Sequence, residues 1–318
     1  MKYYLGIDLG GTDIKVGVVD EKYNIIAKHV RPTFADRDAE DVIADMVAAG
    51  KAALESAGLS EKDILNVGVG IPGAVNSNTN TIVFAPNLKW KNFSFIPVFQ
   101  KYWDIPVFIG NDADVAVLGE VYAGAAREYD SAVMLTLGTG VGGGIVFDKK
   151  LFKGGGGLGT EPGHIIINAG GELCMCGAKG CLEAYTSVTG LIREAIRIME
   201  KYPDSMLNKM CNGDNSFING KIIFDAAKEG DVAAKIIVSD YVKYLGAGIA
   251  TFCNALRPEV ILLGGGLCNA GALLFDPLSD IVDSLYFSPD GAGPPPILRA
   301  ELGNDAGTIG AALLSIGL

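Results

Sequence analysis

The chain opens with apolar runs broken by glycine, "YYLGIDLG" (3–10) and "IKVGVVD" (14–20), then a polar turn "EKYN" (21–24) and a third run "IIAKHV" (25–30). Short β-branched and aromatic runs punctuated by turn residues predict a three-stranded meander. Between residues 38 and 58 the period changes. Val42, Ile43, Met46, Val47, Ala53, Leu54 and Ala57 fall on one helical face, with Asp38 at the N-cap position and Gly58 just past the end. "ILNVGVGIPG" (64–73), "TIVFAPN" (81–87) and "PVFIGND" (106–112) read as strands, and "ADVAVLGEVYAG" (113–124) as a helix.

The opening pattern then returns. "SAVMLTLGTGVGGGIVFD" (131–148) is again strand, glycine turn and strand, and aligning "DLGGTDIKVGVVD" with "TLGTGVGGGIVFD" superposes Gly10 on Gly138 and Asp20 on Asp148. Helical periodicity follows at 183–200 and 231–256, then a strand "EVILLGGG" (259–266), a helix from Gly271 to Leu285, a strand "PILRAEL" (296–302) and a closing helix "DAGTIGAALLSIG" (305–317). Strands joined by crossover helices in both halves imply an α/β protein of two similar lobes, with the ligand cleft expected between them.

Composition narrows the partners. The 318 residues are 49% apolar and 20% charged, enough for two packed domains. A net charge of -11 and a pI near 4.7 exclude nucleic acid or an anionic membrane as the main partner. An anionic small ligand would then be held by backbone N–H groups, a few local cations and a divalent metal. No signal-peptide pattern opens the chain and no apolar run is long enough to span a bilayer, so a cytoplasmic protein is expected.

Gly10-Gly11-Thr12 and Gly138-Thr139-Gly140 are turns in which bare backbone can approach a ligand. One such turn is most simply a tight hairpin; two matched ones, one per half, favour an anion clamp. Gly138, Gly140 and Gly143 fit the dinucleotide fingerprint G-x-G-x-x-G, but that motif opens a helix and here the chain continues as a strand. A third glycine run, Gly264-Gly265-Gly266, lies between a strand and a helix, where a nucleoside could rest on backbone. Asn111 and Asp112 end a strand and precede a helix, a place equally suited to an N-cap and to a ligand-facing carboxylate.

Three of the six cysteines are clustered, and the spacing His164-x9-Cys174-x-Cys176-x4-Cys181 offers the donors of a tetrahedral Cys3His zinc site. A C-x-C disulfide would be cramped, and four protein ligands leave no open position for catalysis, so the expected ion is structural Zn2+. Cys211, Cys253 and Cys268 read as buried thiols and His29 as a structural histidine.

Asp8-Leu-Gly-Gly-Thr12, "LGTGVGGGIV", "LLGGG" and "NDAGTIGAAL" resemble, in order, the two phosphate motifs, the adenosine motif and the closing segment of the sugar kinase, actin and heat-shock-protein ATPase fold. The pattern G-H-x9-C-x-C-G-x2-G-C-x-E from Gly163 to Glu183 resembles the signature of the ROK family, which joins sugar kinases and sugar-responsive repressors. The resemblance runs over essentially the whole chain. It implies a two-lobed actin-like (ribonuclease H-like) fold, each lobe a mixed sheet flanked by helices. Residues 1–115, joined by the closing helix 305–318, would form the N-terminal lobe, and 116–304 the C-terminal lobe.

The activity it implies is ATP-dependent phosphorylation of a hexose, with glucose as first candidate and N-acetylmannosamine, N-acetylglucosamine or another hexose as alternatives. Asp112 would act as general base, and the sugar would be held by Gly73, Asn87, Asn111, Asp112, Glu161, His164 and Glu183. Asp8, Gly10, Gly11, Thr12, Lys15, Gly138, Thr139, Gly140, Gly264, Gly265 and Gly266 would hold ATP, with Asp8 reaching Mg2+ through water. A homodimer is also implied. Pro162 departs from the branched aliphatic residue usual there, and "GGGGLGT" (154–160) is richer in glycine than usual; both bear on sugar choice. A ROK repressor would need a helix-turn-helix ahead of the first phosphate motif, and only seven residues precede Asp8, so the kinase class is expected. Because Glu161 and Glu183 flank the cysteine cluster, the cluster is expected to serve sugar binding and to stand apart from phosphoryl transfer.

Overall fold

The computed structural model describes residues 2–289 and 291–318. The first stretch of chain forms β1 (Tyr3–Leu9), β2 (Asp13–Asp20), β3 (Ile25–Pro32), α1 (Ala39–Ser56), β4 (Ile64–Ile71), β5 (Ala74–Asn76), β6 (Thr81–Ala85), β7 (Trp90–Ser94), α2 (Phe95–Phe99), β8 (Val107–Asn111) and α3 (Asp112–Ala123). Then come β9 (Ala132–Leu137), β10 (Val141–Phe147), β11 (Lys150–Leu151), α4 (Leu182–Thr186), α5 (Val188–Lys201), α6 (Met206–Met210), α7 (Gly220–Lys228) and α8 (Val232–Leu256). The chain closes with β12 (Val260–Gly264), α9 (Ala272–Leu285), β13 (Ile297–Arg299), α10 (Ala306–Ala312) and α11 (Leu314–Gly317).

Two compact units result. The first comprises the chain up to Val133, Gly143–Thr160 and Ala300–Leu318; the second comprises Met134–Gly142 and Glu161–Arg299. The boundary expected at residue 115 falls inside α3, which stays whole in the first unit because its far half packs on α10.

The first unit is built on a five-stranded sheet in the order β3-β2-β1-β4-β8. β1, β2 and β3 form the antiparallel meander, and β4 and β8 run parallel to β1. Register decides what sits at the sheet's edge: Asp8 pairs with Lys15 on one side and Gly70 on the other, and Ile71 pairs with Asn111. The C-terminal ends of the three parallel strands therefore gather Asp8, Asn111 and, one residue on, Asp112, at the edge where open α/β sheets hold ligands. α1 buries Val42, Ile43, Met46, Ala53 and Leu54, and Phe95, Phe99 and Trp103 complete the same core. A small antiparallel sheet, β5-β6-β7, stands beside it.

α3 carries Asp112 at its start and is fixed along its length. It crosses α10 almost backbone to backbone: a Cβ on Gly310 would lie 1.6 Å from the Val115 carbonyl oxygen. Glu120, fully buried, accepts N–H bonds from Ala125 (2.9 Å), Glu301 (3.2 Å) and Leu302 (2.8 Å). Glu120→Ala would leave these amides without their acceptor, and an expected loss of about 3 kcal/mol or more follows from such buried orphaned donors. Urea unfolding reads it, and a loss below about 1 kcal/mol would show that water replaces the carboxylate.

A second five-stranded sheet has the order β11-β10-β9-β12-β13, so the sequence repeat reappears as a repeated strand order. In the second unit α8 packs on α9, α7, α5 and α4. It is long and apolar enough to cross a bilayer, yet 61% of its apolar stretch is buried within the protein, the character of a core helix. The single helix expected over 183–200 is two. Ser187 takes an extended conformation (φ -75°, ψ 161°) and its hydroxyl caps α5 by accepting from Gly190 N–H at 3.0 Å. The closing helix likewise breaks at Leu313 into α10 and α11.

Candidate active site

In the first unit, Asp8 stands one residue before the end of β1 with its carboxylate 3.7 Å from Lys15 Nζ, the neighbour that strand pairing gives it. Burial pushes the Asp8 carboxyl above its ordinary range, against the pull of Lys15. Asp112 is raised as well: burial is the main cause, the Asp8 charge adds to it, and the Ala113 N–H, donating at 3.0 Å, works the other way. A carboxylate held above its usual pKa is a better proton acceptor than an exposed aspartate. Asn111 takes the N-cap role, its Oδ1 accepting from Ala113 N–H (2.8 Å) and Asp114 N–H (3.2 Å). Its Nδ2 donates to the Gly73 carbonyl at 2.9 Å, which brings the 72–73 turn to the same edge. Because Asn111 caps the helix, Asp112 is available for chemistry.

Loop 10–12 follows β1 directly. Gly10 N–H donates to Asp13 O (2.8 Å), and the Asn87 side chain lies beside Gly11, its Cβ 3.4 Å from where a Gly11 Cβ would stand. Thr33, not singled out from the sequence, is fully buried and donates to the loop twice, N–H to Thr12 O (2.8 Å) and hydroxyl to Gly10 O (2.7 Å). The glycine run is docked too, since Gly157 O accepts from Ser77 N–H (2.7 Å) and Oγ–H (3.0 Å).

In the second unit, loop 138–140 closes through Gly138 N–H on Gly140 O at 3.0 Å. Glu183, on α4, is a link in this unit. Its Oε2 accepts from Val141 N–H at 3.0 Å, its Oε1 accepts from the Cys174 thiol at 3.2 Å, and a Cβ on Gly140 would lie 2.5 Å from Oε2. Pro162 opens the short turn Pro162–His164, where a missing N–H costs nothing, and His164 N–H donates to Glu161 O at 3.0 Å while the Glu161 residue stays exposed.

The four metal-ligand candidates converge. A His164 ring nitrogen and the Cys174, Cys176 and Cys181 Sγ atoms lie within 4.8 Å of one another, with Cys176 Sγ–Cys181 Sγ at 3.6 Å and Cys174 Sγ–His164 Nδ1 at 3.7 Å. Zinc–sulfur bonds of about 2.3 Å in a tetrahedron require sulfur–sulfur edges of about 3.8 Å, so the donor set fits the ion. Burial pushes the Cys174 thiol up to about 12, with the Glu183 carboxylate holding the same proton. A bound cation is what would let that sulfur serve as thiolate.

Gly264 ends β12 and Gly265 turns sharply (φ 98°), packed so that a Cβ would meet the Leu137 carbonyl oxygen at 2.2 Å. Beside Gly266 opens a cavity of about 450 Å³ lined by Val188, Lys221, Phe224, Asp225 and Asn269, of a size suited to a small ligand. α7, which walls it, went unread in the sequence because its nine residues are too few for a periodic signal to stand out.

A profile of the ROK family matches residues 4–317. The chain belongs to the ROK family. It is 37% identical to the glucokinase of Thermotoga maritima over 97% of this chain and 95% of that one. Among solved structures it resembles a ROK glucokinase from Streptomyces griseus in complex with glucose and AMPPNP, at 34% identity and a TM-score of 0.78, covering 98% of both chains. It also resembles the ROK hexokinase of Thermus thermophilus, at 31% identity and a TM-score of 0.81, over 98% of this chain and 97% of that one. The fold is the two-lobed actin-like ATPase fold of these ROK kinases, mixed α/β with several sheets flanked by helices. The chain thus combines, within a ROK kinase fold, a carboxylate of raised pKa in one unit and a glycine loop, a cavity of about 450 Å³ and a Cys3His cluster in the other.

Proposed function

We propose that this ROK protein is an ATP-dependent hexose kinase that converts glucose to glucose 6-phosphate. The observation that carries the reading is Asp112, a carboxylate at the C-terminal edge of the first sheet whose proton affinity is raised, chiefly by desolvation. Asp112 accepts the proton of the attacking hydroxyl as that oxygen meets the γ-phosphoryl group, and Asn111, by holding Gly73, shapes the turn against which the sugar lies. Loop 10–12 in the first unit and loop 138–140 in the second each offer backbone amides to phosphate, and the cavity beside Gly266 is of a size to take the nucleoside. Asp8 is the residue that would hold Mg2+, through water, and the ion would supply charge neutralisation. His164, Cys174, Cys176 and Cys181 would hold a structural Zn2+, which would tie residues 164–181 into a closed loop. Glucose as substrate is supported by the glucokinase names among the similar proteins.

A panel of hexoses and N-acetylhexosamines with ATP and Mg2+, followed by ADP release, tests the reading. Glucose is expected to give the highest kcat/KM. Absence of sugar-dependent ADP release across the panel would overturn the kinase assignment, and a preference for an N-acetylhexosamine would correct the substrate.

A further inference from the structure

The two glycine loops are each gripped from behind by a threonine that lies outside them. Thr33, just after β3, gives its N–H to Thr12 O and its hydroxyl to Gly10 O. In the second unit, Val188 N–H donates to Gly138 O at 2.8 Å and the Thr189 hydroxyl donates to Thr139 O at 2.9 Å. Each loop thus receives one backbone N–H and one threonine hydroxyl. The residues whose carbonyls are tied in both, Gly10 and Gly138, are the pair that the internal repeat superposes. Thr33 and Thr189 occupy unrelated elements, so the repeat in the loops has acquired the same support from two different directions.

A trans peptide is planar, with its carbonyl and its N–H pointing to opposite sides. Tying Gly10 O therefore fixes the Gly11 N–H on the other face of loop 10–12. Tying Gly138 O and Thr139 O does the same for the N–H groups of Thr139 and Gly140. Glycine-rich backbone is the least able to hold its own dihedrals, so an outside grip has most to contribute here. Donors aimed before an anion arrives need no ordering when it binds.

We propose that Thr33 and Thr189 are positioning residues that aim the amides of the two phosphate loops at the nucleotide. The inference rests on the kinase reading above and goes beyond it, since neither threonine belongs to a phosphate motif. Thr189 stands at the second residue of α5, exposed, and the break at Ser187 is what turns α5 so that Val188 and Thr189 reach the loop. Glu183, on the segment just before that break, adds a further hold through Val141 N–H.

Direct titration of MgATP, by calorimetry or with a fluorescent ATP analogue, reads the effect without turnover. Thr189→Val, which removes one hydroxyl bond at an exposed site, is expected to raise the MgATP Kd about three- to tenfold. Thr189→Ser keeps the hydroxyl and is expected to restore the wild-type Kd, while the hexose KM stays unchanged in both. Thr33→Val is expected to weaken MgATP binding in the same direction, with urea unfolding run alongside to separate any loss of fold. A wild-type Kd in Thr189→Val, or failure of serine to restore it, would overturn the inference while leaving the kinase reading intact. If the unsubstituted chain binds no MgATP, the kinase reading falls and the inference with it.

Discussion

Asp112→Asn is expected to lower kcat about a hundredfold to ten-thousandfold, the range that positioned general bases contribute. Nucleotide and hexose binding should change little, because asparagine keeps the shape and an oxygen that can accept from Ala113 N–H. Folding should be spared as well, since the cap of α3 is Asn111, which accepts from two amides, and α3 is held further along by Glu120. Steady-state kinetics on the best sugar, with MgATP titration alongside, separates the two effects. A kcat like that of the wild type would remove Asp112 from the chemistry.

The same residue sets a pH dependence whose sign follows from its surroundings. Burial, with the Asp8 charge adding, holds Asp112 above the ordinary value of 3.8, and only the ionised form can take a proton. Activity therefore falls as pH drops through that raised value, at higher pH than an unperturbed aspartate would give. Asp8→Asn removes the neighbouring negative charge, which favours the ionised form of Asp112, so the acid limb should move to lower pH. It should not return to 3.8, because burial, the larger cause, remains.

What could be read in the sequence was short-range. The meander, the two glycine turns, the Asn111-Asp112 strand end and the cysteine spacing each lie within a few dozen residues, where period and turn chemistry leave a mark. The break at Ser187 left none, because the segments on either side stay in helical phase and one extended residue separates them. Glu120 sits in a helix where a glutamate ordinarily faces water, yet it is fully buried because it accepts from residues 301 and 302, 181 and 182 positions along the chain. Glu183 was legible as a residue but not as a link, since Val141 is 42 positions distant and no spacing rule relates them. Thr33 and Thr189 were invisible for the same reason: their partners are carbonyls of other segments, and a carbonyl carries no residue identity.

Breaking the cysteine cluster is expected to cost more than sugar affinity. Cys181 is fully buried, pairs its backbone with Ile166 and is followed at once by α4, so it joins the loop of residues 164–181 to Glu183. Structural zinc sites of this donor type are worth about 10 kcal/mol or more of binding energy, enough to hold a loop that has little core of its own. Cys181→Ala should lower bound zinc well below one per chain in freshly reduced protein and raise the hexose KM at least about tenfold, since losing even an outer partner of a metal ligand costs about 10- to 100-fold in metal affinity or activity. It should also weaken MgATP, because Glu183, two residues after Cys181, is the carboxylate that receives Val141 N–H at the end of the phosphate loop. That second effect runs against the expectation that the cluster stands apart from phosphoryl transfer. Cys253→Ala, at a buried thiol outside the cluster, serves as the control for packing loss and should keep its zinc. Equal zinc content in both variants would sink the Cys3His assignment, and an unchanged MgATP Kd in Cys181→Ala would confine the cluster to the sugar side.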